Sequence, residues 1–233
     1  MLLSALATLA ASVSQAGKPA PQWTPAVERP SPGDAASGFP CTIGETGPAV
    51  FSVNYIVPPD DAYYALLPGG SCASCAPPNA AFVASVHVGL DFPVACDQPV
   101  SVSVVGTSGP PECRVPDPAQ VICPEFPYVL VAAVPGSQDF SIPVPSSCPL
   151  TGDAFLKVTF VSGGAGCATL ETRPRLLTTA QCSNCRNYNI YPGGNADLCA
   201  VNFPGSLLMS VEVASCVVPI LARSWGSVKT IYR

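Results

Sequence analysis

The sequence predicts an all-β protein: a two-sheet β-sandwich, jelly-roll or immunoglobulin-like, of about nine strands stapled by disulfide bonds. Twenty-eight prolines and nineteen glycines among 233 residues leave hardly any uninterrupted run for a long helix. Short stretches of alternating apolar and polar residues recur instead, as in half-buried strands. Twelve cysteines, with no histidine or carboxylate clustered beside them, indicate a disulfide framework.

The strands are predicted from this alternation, which is clearest in Phe155–Val161. Tyr128–Val134 is a continuous apolar run, which favours a strand buried on both faces. Phe140–Val144 contains Pro143, so we expect an edge strand or a bulge there. The other predicted strands are Val50–Val57, Phe82–Leu90, Val100–Val104, Arg173–Thr178, Arg186–Tyr191 and Leu207–Ala214.

Four segments divide the chain. Residues 1–16 are apolar and small and end in Ser-Gln-Ala, which predicts a signal peptide, although a charged start is missing. Residues 17–40 hold six prolines without a strand pattern, which predicts an extended arm. Residues 41–216 form the β-sandwich domain, and residues 217–233 form a basic tail. After the signal peptide no segment approaches the roughly 18 apolar residues of a membrane span.

Charge is unevenly distributed along the chain. Cys41–Leu150 carries nine acidic residues against Arg114 alone, whereas Thr151–Cys216 balances four against four. The tail after Cys216 adds three cations and no acid. A body this acidic excludes a nucleic-acid partner, and its charge is complementary to that of the tail.

The cysteines offer the sharpest local motifs, two Cys-x-x-Cys pairs. Such pairs close tetrahedral zinc sites or act as redox dithiols, but in an exported chain we expect disulfides and neither metal nor cofactor. Cys113 and Cys123 are close enough in sequence to pin the proline-rich loop 107–127. The predicted disulfide cysteines are Cys41, Cys72, Cys75, Cys96, Cys113, Cys123, Cys148, Cys167, Cys182, Cys185, Cys199 and Cys216.

Catalytic chemistry has little support in the sequence, so we expect a protein that is not an enzyme. His87 is the one histidine, and it lies on the strand face opposite Val86 and Val88, beside no recognisable nucleophile motif. The aspartates could bind calcium or hydrolyse glycosides, but those after Pro-Pro are typical of turns. These aspartates are Asp60, Asp61, Asp91 and Asp97.

Two binding functions remain. Tyrosines in or beside loops can stack on sugar rings, which predicts glycan contacts at Tyr63, Tyr64, Tyr188 and Tyr191. The terminal arms can instead dock on a neighbouring copy, and alternation in the tail suits an added strand. The tail residues predicted to assemble are Trp225, Val228, Lys229, Tyr232 and Arg233.

A series of motifs follows the strand Ala154–Phe160: Gly-Ala-Gly-Cys167, Thr172-Arg-Pro-Arg-Leu, Cys182-x-x-Cys185, Tyr-Pro-Gly-Gly and Asp197-Leu-Cys199. With these motifs the chain resembles uncharacterised secreted cysteine-rich proteins of environmental bacteria, over roughly residues 41–233. The ending Trp225-Gly-Ser-Val-Lys229-Thr-Ile-Tyr232-Arg233 is similar to a tail found on exported proteins of such bacteria. The resemblance implies a secreted β-sandwich with a secretion tail and no known catalytic residue.

We therefore predict a secreted or cell-surface structural or adhesive protein. Its partner would be other copies of itself, in a filament or surface assembly built by head-to-tail contacts of the terminal arms. The alternative is a carbohydrate-binding β-sandwich module.

Overall fold

The computed structural model describes residues 18, 20–27, 41–72, 75 and 80–217. They contain fourteen strands, and none of their helices is long and apolar enough to cross a membrane. In chain order the strands are β1 (Gln22–Pro25), β2 (Cys41–Gly44), β3 (Phe51–Asn54), β4 (Asp61–Leu67), β5 (Ala80–Phe92), β6 (Cys96–Ser108), β7 (Val115–Ala132), β8 (Gly136–Pro143), β9 (Pro149–Leu150), β10 (Ala154–Phe160), β11 (Arg175–Thr178), β12 (Asn187–Tyr191), β13 (Gly194–Asp197) and β14 (Met209–Val217).

The predicted fold class is confirmed, because the strands form two sheets stapled by disulfides. The strand count is higher than the predicted nine. The added strands include short ones such as β9 and β13, which have too few residues to display an alternating pattern.

Sheet A has eight strands arranged around β5. One side of β5 pairs with β8 and β9, and the other side pairs with β14 and, near its end, with β11. Next come β2, which pairs with β14, and β3, which pairs with β11. Strand β1 pairs with β3 and adds an outer strand there.

Sheet B has six strands in the order β13-β12-β4-β10-β6-β7. All its pairings are antiparallel. The two central strands, β4 and β10, have seven residues each and are mostly apolar. The outermost strand β7, with 18 residues, pairs with β6 across three register shifts.

The main core lies between the two sheets. Strand β10 contributes Leu156, Val158 and Phe160, which are buried on one face as the alternation predicts. Its other face is covered as well, because Phe155 joins a second apolar cluster with Tyr64 and Tyr188. The half-buried strand expected here is therefore buried on nearly its whole length.

Two predictions about the middle of the chain were wrong. Tyr128–Val134 is not covered on both faces: its first five residues belong to β7, an outermost strand in the described part of the chain, on which Val129 and Val131 are 48% and 60% exposed. The predicted loop 107–127 is mostly strand from Val115 onward. Its prolines are tolerated because an outermost strand has one side without ladder partners.

The N-terminal arm also differs from expectation. We predicted no strand between residues 17 and 40, yet Gln22–Pro25 forms β1 and pairs with β3. Trp23 packs edge-on against Phe51 with ring centroids 5.0 Å apart. The predicted signal peptide lies outside the described residues.

Disulfides join parts of the fold that are distant in sequence. The proposed pinning of one loop by Cys113 and Cys123 was wrong, because each has another partner. The described pairs are Cys41–Cys72, Cys96–Cys167, Cys113–Cys185, Cys123–Cys148 and Cys182–Cys199. Cys75 is also disulfide-bonded.

Candidate functional site

A buried lysine from the N-terminal arm contacts strands β4 and β12 of sheet B. Lys18 Nζ lies 2.7 and 2.6 Å from the two carboxylate oxygens of Asp61. It also donates to the hydroxyl of Tyr63 at 2.8 Å and to Asn189 Oδ1 at 3.0 Å. The lysine side chain is 4% exposed and the aspartate side chain is fully buried, so the pair is shielded from water.

Strand β4 and the turn before it position Asp61. The carboxylate accepts a hydrogen bond from the Val57 N–H at 2.7 Å, across the turn that contains Pro58 and Pro59. Asn189 on the neighbouring strand β12 donates through Nδ2 to Asp61 Oδ1 at 2.7 Å. A buried carboxylate requires such donors, and here an ammonium, an amide and a backbone N–H supply them.

Aromatic rings surround the ammonium group. Nζ lies 4.0 Å from the ring centroid of Tyr55, 5.0 Å from that of Tyr63 and 5.4 Å from that of Tyr191. These distances fit cation–π contacts. We call the site formed around Lys18 Nζ by these three rings, Asp61 and Asn189 the ammonium pocket.

Burial shifts the protonation of this pocket. The pKa of Lys18 is lowered to about 8, mainly because burial disfavours the charged ammonium; the charge of Asp61 and its hydrogen bond partly offset this effect, and the charge of Arg173 adds a smaller lowering. Burial, followed by the charge of Asp61, raises the pKa of Tyr63 well above its ordinary value. Tyr63 therefore remains a neutral phenol, while Lys18 is partly deprotonated near neutral pH.

The four tyrosines predicted as exposed glycan contacts lie in or beside strands of sheet B. Tyr63, Tyr64 and Tyr188 are buried, so the prediction of exposed rings was wrong for these three. Tyr191 is half-buried and borders a shallow groove on the outer face of sheet B, together with Asp60, Glu125 and Lys157. Tyr191 is the one of the four whose ring is not buried.

The two Cys-x-x-Cys motifs do not form one site. Cys182 and Cys185 pair with Cys199 and Cys113 respectively, and Cys72 pairs with Cys41. Within the described ranges, the group close enough to hold a metal ion consists of Cys41, Cys72 and Cys75, whose sulfurs are already oxidised to disulfides. The alternatives of a joint zinc site and of a Cys-x-x-Cys dithiol were wrong, since thiolates are needed for both.

His87 lies on the outer face of sheet A between two carboxylates. Its Nδ1 is 2.9 Å from Asp139 Oδ2 on β8, and its Nε2 is 3.4 Å from Glu212 Oε1 on β14. The hydrogen bond to Asp139 is the main cause that raises the pKa of His87. Ser85 donates to Glu212 at 2.6 Å rather than to the histidine, so the arrangement is not that of a Ser-His-Asp triad.

The four aspartates considered for calcium do not form a group. Asp61 binds Lys18, whereas Asp91 on the other sheet accepts a hydrogen bond from Ser52 at 2.7 Å. Asp60 is exposed at a positive φ of 63° in the turn, as expected from turn chemistry. Asp97 is also exposed. These contacts overturn the shared calcium or hydrolytic site.

The tail residues predicted to assemble, Trp225, Val228, Lys229, Tyr232 and Arg233, lie outside the described residues, as does the side chain of Cys216.

A comparison with protein families gives one match. The family model described as a domain of unknown function, DUF7451, matches residues 55–212, which is more than half of the chain. The chain belongs to the DUF7451 family. Most residues of the ammonium pocket in this DUF7451 protein lie inside the matched range, the first being Tyr55 and the last Tyr191. Lys18 lies outside that range.

Comparisons with curated proteins and with solved structures assign no function to the chain. No curated protein matches the DUF7451 chain. A crystal structure of the cysteine protease and lectin-like domains of Cwp84, a surface layer associated protein of Clostridium difficile, is similar with a TM-score of 0.43 and 9% identity. The likeness covers 71% of this chain and 33% of that one, and at this level it carries no functional argument.

Sequence reasoning missed Lys18. The residue stands alone among prolines and small residues, so no periodicity or motif marks it. Its role depends on Asp61 and Asn189, which lie 43 and 171 positions further along the chain.

Proposed function

We propose that this DUF7451 protein is a non-enzymatic extracellular structural or adhesive unit that assembles with copies of itself. In this proposal the C-terminal tail of one subunit adds as a strand to the open edge of β7 on the next. The observation that carries it is the exposed apolar edge of sheet B.

Strand β7 is a suitable acceptor for an added strand. It is the outermost strand of sheet B in the described part of the chain and pairs there with β6. Val121, Val129 and Val131 on it are 58%, 48% and 60% exposed. A long outermost strand with exposed apolar side chains is prone to pair with another chain. The stretch from Tyr128 to Ala132 contains no proline and thus keeps its N–H donors.

The tail has the properties of a matching donor strand. Val228, Thr230 and Tyr232 alternate and can line one side of an extended segment. Charge also supports the pairing: β7 carries Asp117 and Glu125 and no cation, whereas the tail carries three cations and no acid.

Such a contact joins two different surfaces, the tail of one copy and the strand edge of another. Heterologous contacts propagate into a fibre unless they close into a ring. The disulfide bonds fit this role, since they stabilise a domain outside the cell by about 2–4 kcal/mol each. The His87 arrangement, in which carboxylates face both ring nitrogens, supports the non-enzymatic part.

Assembly is tested with the mature chain by light scattering and negative-stain microscopy at low and high salt. The wild-type chain should form ordered polymers, and high salt should weaken them because opposite charges attract across the contact. Removal of residues 218–233 should leave single particles. The double variant Val129→Lys, Val131→Lys should do the same, because it places cations opposite a basic tail.

Leu170→Lys is the matched control. It also replaces an exposed apolar residue, 52% exposed, but away from β7, and it should leave the polymers intact. Uniform single particles of the wild-type chain under every condition would refute the proposal. Polymers that survive removal of the tail would refute the tail as the donor.

A further inference from the structure

Three side chains in the ammonium pocket form a closed triangle of contacts. Lys18 Nζ lies 3.0 Å from the amide oxygen of Asn189. The same ammonium group contacts both carboxylate oxygens of Asp61. Asp61 Oδ1 in turn accepts a hydrogen bond from the Asn189 amide nitrogen at 2.7 Å. One carboxylate therefore contacts both the amine and the amide nitrogen.

This geometry provides a nucleophile, an electrophile and a proton carrier. A lysine amine can attack the amide carbon of an asparagine, and the amide nitrogen must be protonated to leave. Asp61 is within hydrogen-bond distance of the atom that gives up a proton and of the atom that needs one, as general acid–base catalysis requires. Holding the groups in contact removes the entropic cost of bringing them together.

The surroundings favour the reaction over a simple ion pair. Asp61 and Asn189 are fully buried, and the rings of Tyr55 and Tyr63 cover the ammonium group. Burial disfavours the charged amine, so a useful fraction of Lys18 is the neutral nucleophile near neutral pH. Water, the competing nucleophile, has little access to a lysine side chain that is 4% exposed.

We infer that Lys18 and Asn189 become joined by an intramolecular isopeptide bond, with Asp61 as the residue that transfers the protons. The inference concerns a bond within one chain and does not depend on the proposed assembly.

The step balances without a co-reactant. The Lys18 ammonium gives one proton to Asp61, and the neutral Nζ then attacks Asn189 Cγ. Asp61 passes that proton to Nδ2, the Cγ–Nδ2 bond breaks, and ammonia leaves. A second proton from Nζ returns to Asp61 and departs with the ammonia as ammonium. The products are one amide bond, one ammonium ion and the regenerated carboxylate.

The pocket also suits the product. After the reaction Asp61 keeps its bonds to the Val57 N–H and the Tyr63 hydroxyl, 2.7 and 2.8 Å away, and gains the new amide N–H. Arg173 lies close enough to influence the charges of this pocket, so the remaining carboxylate has a cation nearby. The bond would close a loop of 171 residues and fasten the arm to strand β12.

Mass spectrometry of the full-length mature chain tests the bond directly. After complete reduction and alkylation of the cysteines, the wild-type chain should be lighter than the mass calculated for the fully alkylated mature sequence by about 17 Da, the mass of ammonia. Cleavage after glutamate should release the segment that ends at Glu28 covalently joined to the segment Thr172–Glu212. No mass loss would overturn the inference, and a loss of about 18 Da with a Lys18–Asp61 linkage would overturn Asn189 as the acceptor.

Variants identify the roles of the three residues. Lys18→Arg and Asp61→Ala should both have the mass calculated for their own sequences, because the first lacks the amine and the second lacks the proton carrier. Lys157→Arg is the matched control: its lysine also pairs with a carboxylate, Glu125 at 3.4 Å, but lies outside the pocket, and the mass loss should persist. A mass loss that persists in Asp61→Ala would overturn the assigned role of Asp61. The wild-type measurement requires no variant to fold.

Discussion

The protonation of His87 makes the stability of sheet A depend on pH. Its ring lies between Asp139 on β8 and Glu212 on β14, and these two carboxylates favour the protonated imidazole. Its pKa is therefore raised in the folded chain, mainly by the hydrogen bond to Asp139 and against the effect of burial. A raised folded-state pKa means that the stabilisation is fully present below the unfolded pKa of about 6.5 and is lost as pH rises through the folded value.

We predict that His87→Gln lowers the free energy of unfolding more at acidic pH than at basic pH. The difference from wild type should reach up to about 1 kcal/mol near pH 5.5 and vanish near pH 8.5, since a part-exposed ion pair contributes no more than this. Urea denaturation at both pH values measures it. In an Asp139→Asn background, the loss of stability that His87→Gln causes at acidic pH should be smaller. A loss that grows as the pH rises would contradict the prediction.

At the scale of elements, the loop between β6 and β7 depends on a disulfide to the turn just before strand β12. Cys113 in this loop pairs with Cys185, and the Tyr188 hydroxyl donates to the Arg114 carbonyl oxygen at 3.0 Å. Both contacts cover the small apolar cluster on the outer face of sheet B, which includes Tyr188 and Phe155. Few apolar residues lie in this cluster, so the disulfide is a large part of what holds the loop.

We predict that the double variant Cys113→Ala, Cys185→Ala lowers the free energy of unfolding by about 2–4 kcal/mol. Hydrogen exchange of residues 109–114 should accelerate as well. The matched control is Cys182→Ala, Cys199→Ala, whose bond closes 17 residues instead of 72. Loop entropy then predicts a loss smaller by about 1 kcal/mol in the control. Guanidinium denaturation measures the free energy of unfolding of both double variants. Equal losses in the two would show that the length of the closed loop does not determine how much each disulfide stabilises the fold.

At the scale of the whole molecule, the N-terminal arm links the two sheets through β1 and the ammonium pocket. Strand β1 pairs within sheet A, whereas Asp61 and Asn189 belong to strands of sheet B. Removal of one member of a buried ion pair leaves the other charge uncompensated and typically costs about 3–5 kcal/mol. The stability of the sandwich should therefore depend on an arm that contributes only a few contacts.

We predict that the double variant Lys18→Met, Asp61→Asn has a higher free energy of unfolding than the single variant Lys18→Met, by up to about 3–5 kcal/mol, because it no longer buries an unpaired carboxylate. Neither chain can form the isopeptide bond, so their comparison isolates the buried carboxylate. Chemical denaturation of the two variants measures the difference. A double variant that is no more stable than Lys18→Met would contradict the prediction.

The sequence by itself determined the fold class and the position of most strands. Its prolines prevent long helices, and its alternation matches β5, β10 and β14, because period-two patterns depend on neighbouring residues alone. The same local reasoning failed for β7, where a continuous apolar run proved to be an exposed outermost strand. Whether another sheet covers a strand depends on residues elsewhere in the chain, so a local run of apolar residues cannot predict it.

The tertiary structure decided which strands are neighbours, which cysteines pair and which polar groups meet. Lys18 and Asn189 are 171 positions apart and carry no shared motif, and only the packing of two sheets brings them within 3.0 Å. Tyr63 and Tyr188 likewise resemble loop aromatics in sequence and are buried in sheet B. Local patterns report backbone conformation, whereas a binding pocket depends on contacts between distant segments, which form only when the whole chain is packed.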